Sequence, residues 1–577
     1  MKHYYSSERS IQILISLLKQ HGIKTVIASP GTTNLTFVAS IQQDPWFEIY
    51  SSVDERSAAY IACGMAAESG EPVVLSCTGA TASRNYMPGL TEAYYRKLPV
   101  LAVTATQDET RIGHLIAQVI DRSSLPNDIA LLSEHIPVTR DETDEWSNTV
   151  KINRALLELR HRGGGPVHLN VTTTYSRDYS VEKLPEARMI RRICPEDTFP
   201  ALPEGRIAVF VGSHRLFTEV ETAAIDRFCA SHDAVVFCDH TSGYNGKYRM
   251  QFSLVAGQDA YVSDLCKVGL LVHVGEISAD YQKIQANQVW RVNPDGALRD
   301  TFNRLTCVFE MTEQLFFEKY AGDAVKEDYL HACKDEYAQI LQKIPELPFS
   351  NVWIAQHTAS RIPERAVVHL GILNTLRSWN MFEFPQSVRS NCNVGGFGID
   401  GNVSALIGAS LVHPGKLYFG IVGDLAFFYD MNVVGNRHVE KNVRIMLINN
   451  GKGTEFRNYH HPGAAFGEDA DRYIAAAGHY GNKSPELVKH YAQDLGYEYL
   501  TASNKEEFLQ VYERFLTPER TDKPMLFEIF TDNQNESDAL KTVNNLKTNA
   551  IGKSKQIVKQ ILGEQGKKIV KKIMNMD

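Results

Sequence analysis

The chain has 577 residues, 43% hydrophobic and 22% charged, with a mean hydropathy of −0.25 and a formal charge of −8. This is globular composition with room for about three to four domains, and it excludes a disordered or fibrous protein. Nine cysteines without a C-x-x-C pair exclude a disulfide framework and a zinc ribbon; no run of 18 apolar residues occurs, and Met1–Ser6 opens no signal-like core, so a cytoplasmic protein is expected.

Strand-like and helix-like patterns alternate from the start. A helix is expected near 8–20, a strand at Thr25–Ser29, a helix at 54–69, a strand at Pro72–Cys77, and a helix at 83–95. Strands at Pro99–Thr104 and Pro166–Val171 follow, then a linker rich in charge and proline from Tyr175 to about Gly205. The next strands are Arg206–Gly212, Ala234–Asp239 and Gly269–Gly275. No G-x-G-x-x-G opens a helix among them, which leaves this block as a structural spacer. A third block begins near Ser350, with strands at Ala366–Gly371, Leu417–Val422 and Val443–Ile448 and a glycine-rich loop at 395–401. The alternation predicts an α/β fold of three doubly wound parallel-sheet domains, at 1–185, 200–340 and 345–540. The outer two share a pattern that suggests duplication.

The last stretch, 541–577, holds nine lysines against Glu564 and Asp577, a local +7 that leaves −15 on the rest. An acidic body argues against nucleic-acid binding. In the tail, Ile557, Val558, Ile561, Leu562, Ile569, Val570, Ile573 and Met574 recur at helical spacing between lysines. That pattern describes a basic amphipathic helix able to make weak contact with an anionic membrane surface. A C-terminal helix packed on its own subunit, or a frayed tail, is the alternative.

Two strands of the third block end in polar residues. Leu417–Val422 runs into Gly423 and Asp424, and Val443–Ile448 into Asn449 and Asn450. Asp424 reads either as the cap of the next helix or as a metal or phosphate ligand at the C-terminal edge of a parallel sheet. Between Leu425 and Asn449 lie 23 residues, enough for a crossover and a return strand, so both polar ends emerge at one edge. A carboxylate, an amide oxygen and loop carbonyls suit Mg²⁺, and nearby glycines let backbone approach a diphosphate.

Gly423-Asp424-Leu425 followed by Asn449-Asn450 resembles the diphosphate-and-metal motif of the thiamine-diphosphate-dependent enzymes, with Leu425 where glycine is usual. Ser29–Gly31, Asp54–Ala58, Cys77–Tyr86 and Glu92–Tyr95 resemble the pyrimidine-binding domain of that superfamily. Gln118–Asp121, Gly398–Gly401 and Gly423–Asn432 are most similar to the SEPHCHC synthases, menaquinone-pathway carboligases that use isochorismate and 2-oxoglutarate. The resemblance covers the first and third blocks and reaches the middle only by position. It implies pyrimidine-binding, central and diphosphate-binding domains in that order, with thiamine diphosphate and Mg²⁺ as cofactors.

The same resemblance implies residue roles. Glu55, which by itself also reads as a helix-start glutamate, would hydrogen-bond the aminopyrimidine and share a proton with it. Ile399, beside Gly398, would be the wedge beneath the bent cofactor. Gly423, Leu425, Ala426 and Asn450 would contact its diphosphate, and Asp424, Asn450 and the Lys452 carbonyl would hold the metal. Thr32, Gln118, Arg377, Glu455 and Arg457 would face substrate, with Glu55, Gln118 and Glu455 catalytic. His460 and His461 stand close enough in sequence to relay protons with Glu455. Three substrate arginines of the SEPHCHC synthases are replaced, by Thr33, Gln107 and Val394, leaving Arg377. Polycarboxylate substrates need several guanidinium groups.

The expected function is a carboligase or lyase that decarboxylates a 2-oxo acid and transfers the resulting acyl carbanion to an acceptor, in a specialised biosynthetic step. Simple 2-oxo acid decarboxylation, SEPHCHC synthesis and a catalytically silent binding subunit are the alternatives. In the superfamily the pyrimidine domain of one subunit faces the diphosphate domain of another, which implies a homodimer or tetramer with shared sites.

Overall fold

The computed structural model describes residues 4–122, 124–478, 483–550 and 552–553. The described residues fall into two compact units, Met1–Phe199 with Asp295–Glu310, and Pro200–Pro294 with Met311–Asp577. Asp295–Glu310, assigned by sequence to the central block, thus groups with the first.

The first unit is built on β1 (Thr25–Ala28), β2 (Glu48–Ser51), β3 (Val73–Thr78), β4 (Val100–Thr106), β5 (Leu132–Ile136) and β6 (Val167–Thr172), in the order β2-β1-β3-β4-β6-β5. The strand pairs are parallel throughout. Alternate side chains feed two cores. Val26, Val74, Leu101 and Leu169 pack with the helix Arg9–Gln20, whereas Ile27, Leu75 and Ala102 pack with the helices Glu55–Ser69 and Met87–Arg96. The second core is tight because Ala58, Ala59, Ala62 and Ala66 form a small-residue stripe; a Cβ on Gly89 would come within 2.4 Å of Ala59 Cβ. The single helix expected at 83–95 is two, Ala80–Asn85 and Met87–Arg96, joined at Tyr86. Pro88 lies in the first turn of the second, where its missing N–H leaves no bond unmade. In the expected linker, β7 (Arg191–Ile193) pairs in parallel with a later strand of the same unit.

The second unit holds two sheets. In the central one, β8 (Ile207–Val211), β9 (Val235–Cys238), β10 (Arg249–Met250), β11 (Lys267–Val274) and β12 (Gln285–Val292) run in the order β10-β9-β8-β11-β12. β13 (Leu305–Phe309) is the first-unit partner of β7. The third sheet contains β14 (Val367–Leu370), β15 (Arg389–Cys392), β16 (Tyr418–Gly423), β17 (Val443–Asn449), β18 (Glu498–Ala502) and β19 (Met525–Phe530). Its order is β15-β14-β16-β17-β19-β18, again parallel. Counted within each block, the first and third sheets share one strand order, 2-1-3-4-6-5. β17 is buried along its whole length and β16 up to its last residue, which explains their unbroken apolar runs.

The structure alters the reading of the tail at its start. The helix Asn533–Val543 leads into a segment bound to the central region of the same unit: Asp259 N donates to Asn544 O at 2.7 Å, and Asn549 N to Ala260 O at 2.9 Å. Lys547 pairs with Glu336 at 2.7 Å. Residues 541–550 therefore belong to the globular body, because their polar groups find partners there. The amphipathic pattern from Ile557 to Met574 lies outside the described residues. Among the described residues no helix is long and apolar enough to cross a membrane.

Candidate active site

In a parallel sheet every strand delivers its following loop to the same edge, and ligands gather where the connections diverge to opposite sides. In the third sheet that divergence lies between β14 and β16, and β16 ends at Gly423. Gly423 is the cap position of the helix Asp424–Tyr429, and Asp424 is its first residue. Asp424 is 4% exposed. Its Oδ1 accepts from Leu425 N at 2.8 Å and its Oδ2 from Gly451 N at 2.6 Å, tying the end of β16 to the loop after β17. Burial pushes its pKa up to about 7 against the lowering by those N–H groups. The carboxylate is thus buried, with no side-chain cation paired to it among the described residues. Beside it in the same loop, Asn450 Oδ1 is buried and has no hydrogen-bond partner. A buried carboxylate and a partnerless amide oxygen at one edge are hard donors that fit a small divalent cation. A Cβ added to Gly423 would meet nothing within 4 Å, so the space beside Asp424 is open.

The neighbouring asparagine differs. Asn449 Nδ2 donates to Glu528 Oε1 at 2.7 Å, while Tyr499 OH donates to Glu528 Oε2 at 2.8 Å. Asn449 is thereby locked into the sheet and Asn450 is left at the edge. Glu528, missed from sequence, was signalled by a charge inside the apolar run Met525–Phe530. Asp430 bonds Ser404 N and Oγ, both at 2.5 Å, holding the first turn of the helix Asn402–Val412. That helix follows the loop carrying Gly398 and Ile399. Ile399 is half-buried against the core under β16, and its carbonyl accepts from Asn402 Nδ2 at 2.5 Å. A Cβ on Gly398 would strike Asp400 Oδ1 at 2.4 Å. Ala426 is buried in the same core. The Lys452 carbonyl accepts from Thr454 N at 2.8 Å.

The expected substrate residues regroup. Arg377 grips Glu455 with both guanidinium nitrogens, at 2.5 and 2.9 Å. Burial works to raise the Glu455 pKa, but Arg377, with His460 and His461, holds it below the usual glutamate range. Arg377 also lines a cavity of about 340 Å³ with His460, Tyr459 and Asp259. Leu373 and Phe397 on its wall both have positive φ, 65° and 57°, which costs about 1 kcal/mol or more each. Arg457, expected to face substrate, is instead committed to Asp471, which also takes Lys452 Nζ at 2.6 Å. The pair of cations brackets one carboxylate and clamps their loop. His461 Nδ1 accepts from Gly463 N at 2.9 Å and caps the next turn.

Glu536 is a second missed residue. It is 2% exposed and takes Asn351 N at 3.1 Å and Thr531 Oγ1 at 2.7 Å. Burial raises its pKa to about 7, with the charge of Asp424 adding to the rise. Its folded-state pKa lies above the ordinary 4.5, so its contribution to stability is full below that value and is lost as pH rises to about 7. In metal-free protein, wild type is expected to lose ~3 kcal/mol more than Glu536→Gln between pH 4.5 and pH 8. Urea unfolding at the two pH values reads this; parallel curves would remove Glu536 as the titrating group.

In the first unit the same edge carries the other expected residues. Asp54 caps the helix Glu55–Ser69, accepting from Arg56 N at 3.0 Å, which sets Glu55 as its first residue after β2. Glu55 is half-buried and accepts from Asn85 Nδ2 at 3.1 Å. The loops after β1 and β3 close tightly: a Cβ on Gly31 would sit 2.7 Å from Thr78 Cβ. Thr33 is buried there, donating to Ala105 O at 3.0 Å, while Thr32 is exposed. Gln118 is exposed with φ 64°.

A helix-start glutamate on one doubly wound sheet and a carboxylate–amide pair on its sister sheet are the features that the resemblance to thiamine-diphosphate enzymes requires. Residues 9–125 match the family described as thiamine pyrophosphate enzyme, N-terminal TPP binding domain. Over nearly its whole length the chain is similar to proteins named 2-succinyl-5-enolpyruvyl-6-hydroxy-3-cyclohexene-1-carboxylate (SEPHCHC) synthase. The one from Bacteroides thetaiotaomicron is 29% identical over 557 residues, covering 93% of this chain and 98% of its own. That of Bacteroides fragilis is 28% identical and that of Phocaeicola vulgatus 29%, each with the same coverage.

Proposed function

We propose that the chain is a thiamine-diphosphate- and Mg²⁺-dependent enzyme that decarboxylates a 2-oxo acid and passes the acyl unit to an acceptor. The observation that carries this reading is the buried Asp424 beside the partnerless Asn450 Oδ1 at one sheet edge. The match of residues 9–125 and the names of the relatives support it. Asp424, Asn450 and the Lys452 carbonyl would hold the metal, and Gly423, Leu425 and Ala426 would contact the diphosphate. Gly398 and Ile399 would support the cofactor from beneath. When bound, thiamine diphosphate supplies the electron sink for loss of CO₂ and for carbon–carbon bond formation. Glu55 would hold a proton at its carboxyl against the pyrimidine nitrogen. Thr32, Gln118 and the Arg377–Glu455 pair would face substrate.

Exposed apolar side chains support an assembly. Val53, Tyr60, Ile61 and Tyr95 in the first unit, and Tyr429 and Tyr473 in the second, lie in solvent. In a dimer or tetramer, Glu55 would complete a site whose metal ligands come from a partner subunit.

The test is incubation with thiamine diphosphate, Mg²⁺ and either pyruvate or 2-oxoglutarate, with and without aldehyde acceptors, and product identification by mass spectrometry. CO₂ release with an adduct supports carboligation; CO₂ with a free aldehyde supports simple decarboxylation. No CO₂ from either acid, with cofactor unbound, sinks the reading. SEPHCHC synthesis is a second reading, favoured by the relatives' names. Against it stand Thr33, Gln107 and Val394 at the arginine positions and the capture of Arg377 by Glu455. Incubation with isochorismate and 2-oxoglutarate decides.

Because Glu455 already neutralises Arg377, the pocket should not favour a second carboxylate on the donor. Glu455→Gln is expected to lower the KM for 2-oxoglutarate relative to pyruvate by ~10-fold by freeing the guanidinium. An unchanged ratio would show that the donor does not reach this pair.

A further inference from the structure

The cavity of about 340 Å³ beside Arg377 lies wholly within the second unit, between connections of the central and third sheets. A run of contacts ties it to the substrate pair. Arg377 grips Glu455, its charge reaches Tyr459, and Tyr459 OH donates to Asp259 Oδ2 at 2.6 Å. Two carboxylates stand on the wall, Asp259 after the helix Ser253–Ala256 and Asp280 in the loop after β11. Both are half-buried. Asp259 Oδ2 also takes Asn545 Nδ2 at 3.2 Å, and Asp280 Oδ1 takes Gln282 N at 2.8 Å. Asp259 Oδ1 and Asp280 Oδ2 have no hydrogen-bond partner among the described residues, and neither is sealed from solvent.

The charge of this wall is not balanced from within. Neither Asp259 nor Asp280 makes an ion pair among the described residues, and the one Lys or Arg on the wall, Arg377, is already taken by Glu455. The sequence agrees: Thr33, Gln107 and Val394 stand where the SEPHCHC synthases carry substrate arginines. A site that lacks those guanidinium groups and bears two open carboxylates favours a cation over an anion. No group of three metal-ligating side chains forms among the described residues, so an organic cation suits the pair better than a metal ion. Leu373 and Phe397 supply apolar surface for a carbon skeleton. The cavity is small for a ligand site, so an occupant that fills it meets both carboxylates.

We infer that the acceptor of the carboligation carries a protonated amino group, received by Asp259 and Asp280, with its carbonyl toward the Arg377–Glu455 pair and its skeleton on Leu373 and Phe397. This rests on the reading of the chain as a 2-oxo acid carboligase and narrows its acceptor to an amino aldehyde. The donor loses CO₂, its acyl carbon bonds the aldehyde carbon, and the aldehyde oxygen takes up a proton. One 2-oxo acid and one amino aldehyde thus give one α-hydroxy ketone and CO₂.

The test is calorimetry on the full chain loaded with thiamine diphosphate and Mg²⁺, using three aldehydes of one shape and different charge. They are para-(dimethylaminomethyl)benzaldehyde, para-(hydroxymethyl)benzaldehyde and para-carboxybenzaldehyde. The amine is expected to bind at least ~10-fold more tightly than the carboxylate, and its lead over the alcohol should shrink as salt is raised. Asp259→Asn, which keeps an acceptor for Tyr459 OH, and Asp280→Asn should each weaken the amine by ~5-fold or more and leave the alcohol within ~2-fold. The proposal is overturned if the carboxylate binds as tightly as the amine, or if the lead of the amine survives both substitutions together. Release of CO₂ from pyruvate is read in parallel. CO₂ without a preference for the amine overturns this inference alone; no CO₂, with cofactor unbound, sinks the carboligase reading and the inference with it.

Discussion

Asp424→Asn is expected to weaken Mg²⁺-dependent binding of thiamine diphosphate by ~100-fold or more, with the fold intact. The substitution keeps the size of the side chain and one acceptor oxygen for Leu425 or Gly451 N–H, but it removes the charge. A buried carboxylate held by two N–H groups, with no side-chain cation paired to it among the described residues, is a costly arrangement for a residue with a purely structural role. Removing the charged partner of a dry ion contact costs about 3–5 kcal/mol, which sets the size of the effect. Asn450→Ala should act in the same direction through the loss of one neutral ligand, by ~10-fold. Calorimetry with and without Mg²⁺ reads both. If Asp424→Asn leaves the affinity intact while lowering thermal stability, Asp424 only ties the end of β16 to the loop after β17 and the metal lies elsewhere.

The second large effect is expected at Glu55. Glu55→Gln keeps an oxygen for Asn85 Nδ2 but cannot exchange a proton with a bound base. General acid–base contacts of this kind are worth about 10²–10⁴ in rate. The cleanest readout needs no substrate: the rate of hydrogen–deuterium exchange at the thiazolium C2 of bound cofactor, followed by NMR. A fall of ~100-fold or more at unchanged cofactor affinity supports the role. Equal exchange rates would leave Glu55 as a helix-start glutamate at the end of β2.

Reading from the sequence worked best where strands are interior. In the first sheet β1, β3, β4 and β6 were legible as apolar runs, whereas the edge strands β2 and β5 were not. Glu48–Ser51 is mostly exposed and Leu132–Ile136 is only partly buried, so neither carries the pattern of a strand buried on both faces. The third sheet repeats this, with β15 and β18 missed at its edges. β19 is an exception: it is interior and apolar, and Glu528 in its middle broke the pattern because that charge serves Asn449 rather than solvent.

What the sequence determined alone is the set of residues carried by single strands and their ends: Asp424 after β16, Asn450 after β17, Glu55 after β2. Each follows its strand within a few residues. For Asp424 and Asn450 the apolar runs and the rule that parallel strands end together grouped them at one sheet edge. Glu55, after the illegible edge strand β2, was singled out by the resemblance of Asp54–Ala58 alone. Only the tertiary structure decided the partners. Arg377 and Glu455 are 78 residues apart and form one ion pair. Arg457 and Lys452 turn to Asp471, and Glu536 reaches the helix that begins at Asn351. Charged side chains pair through space, and which carboxylate meets which cation depends on sheet order and loop closure that no local spacing encodes.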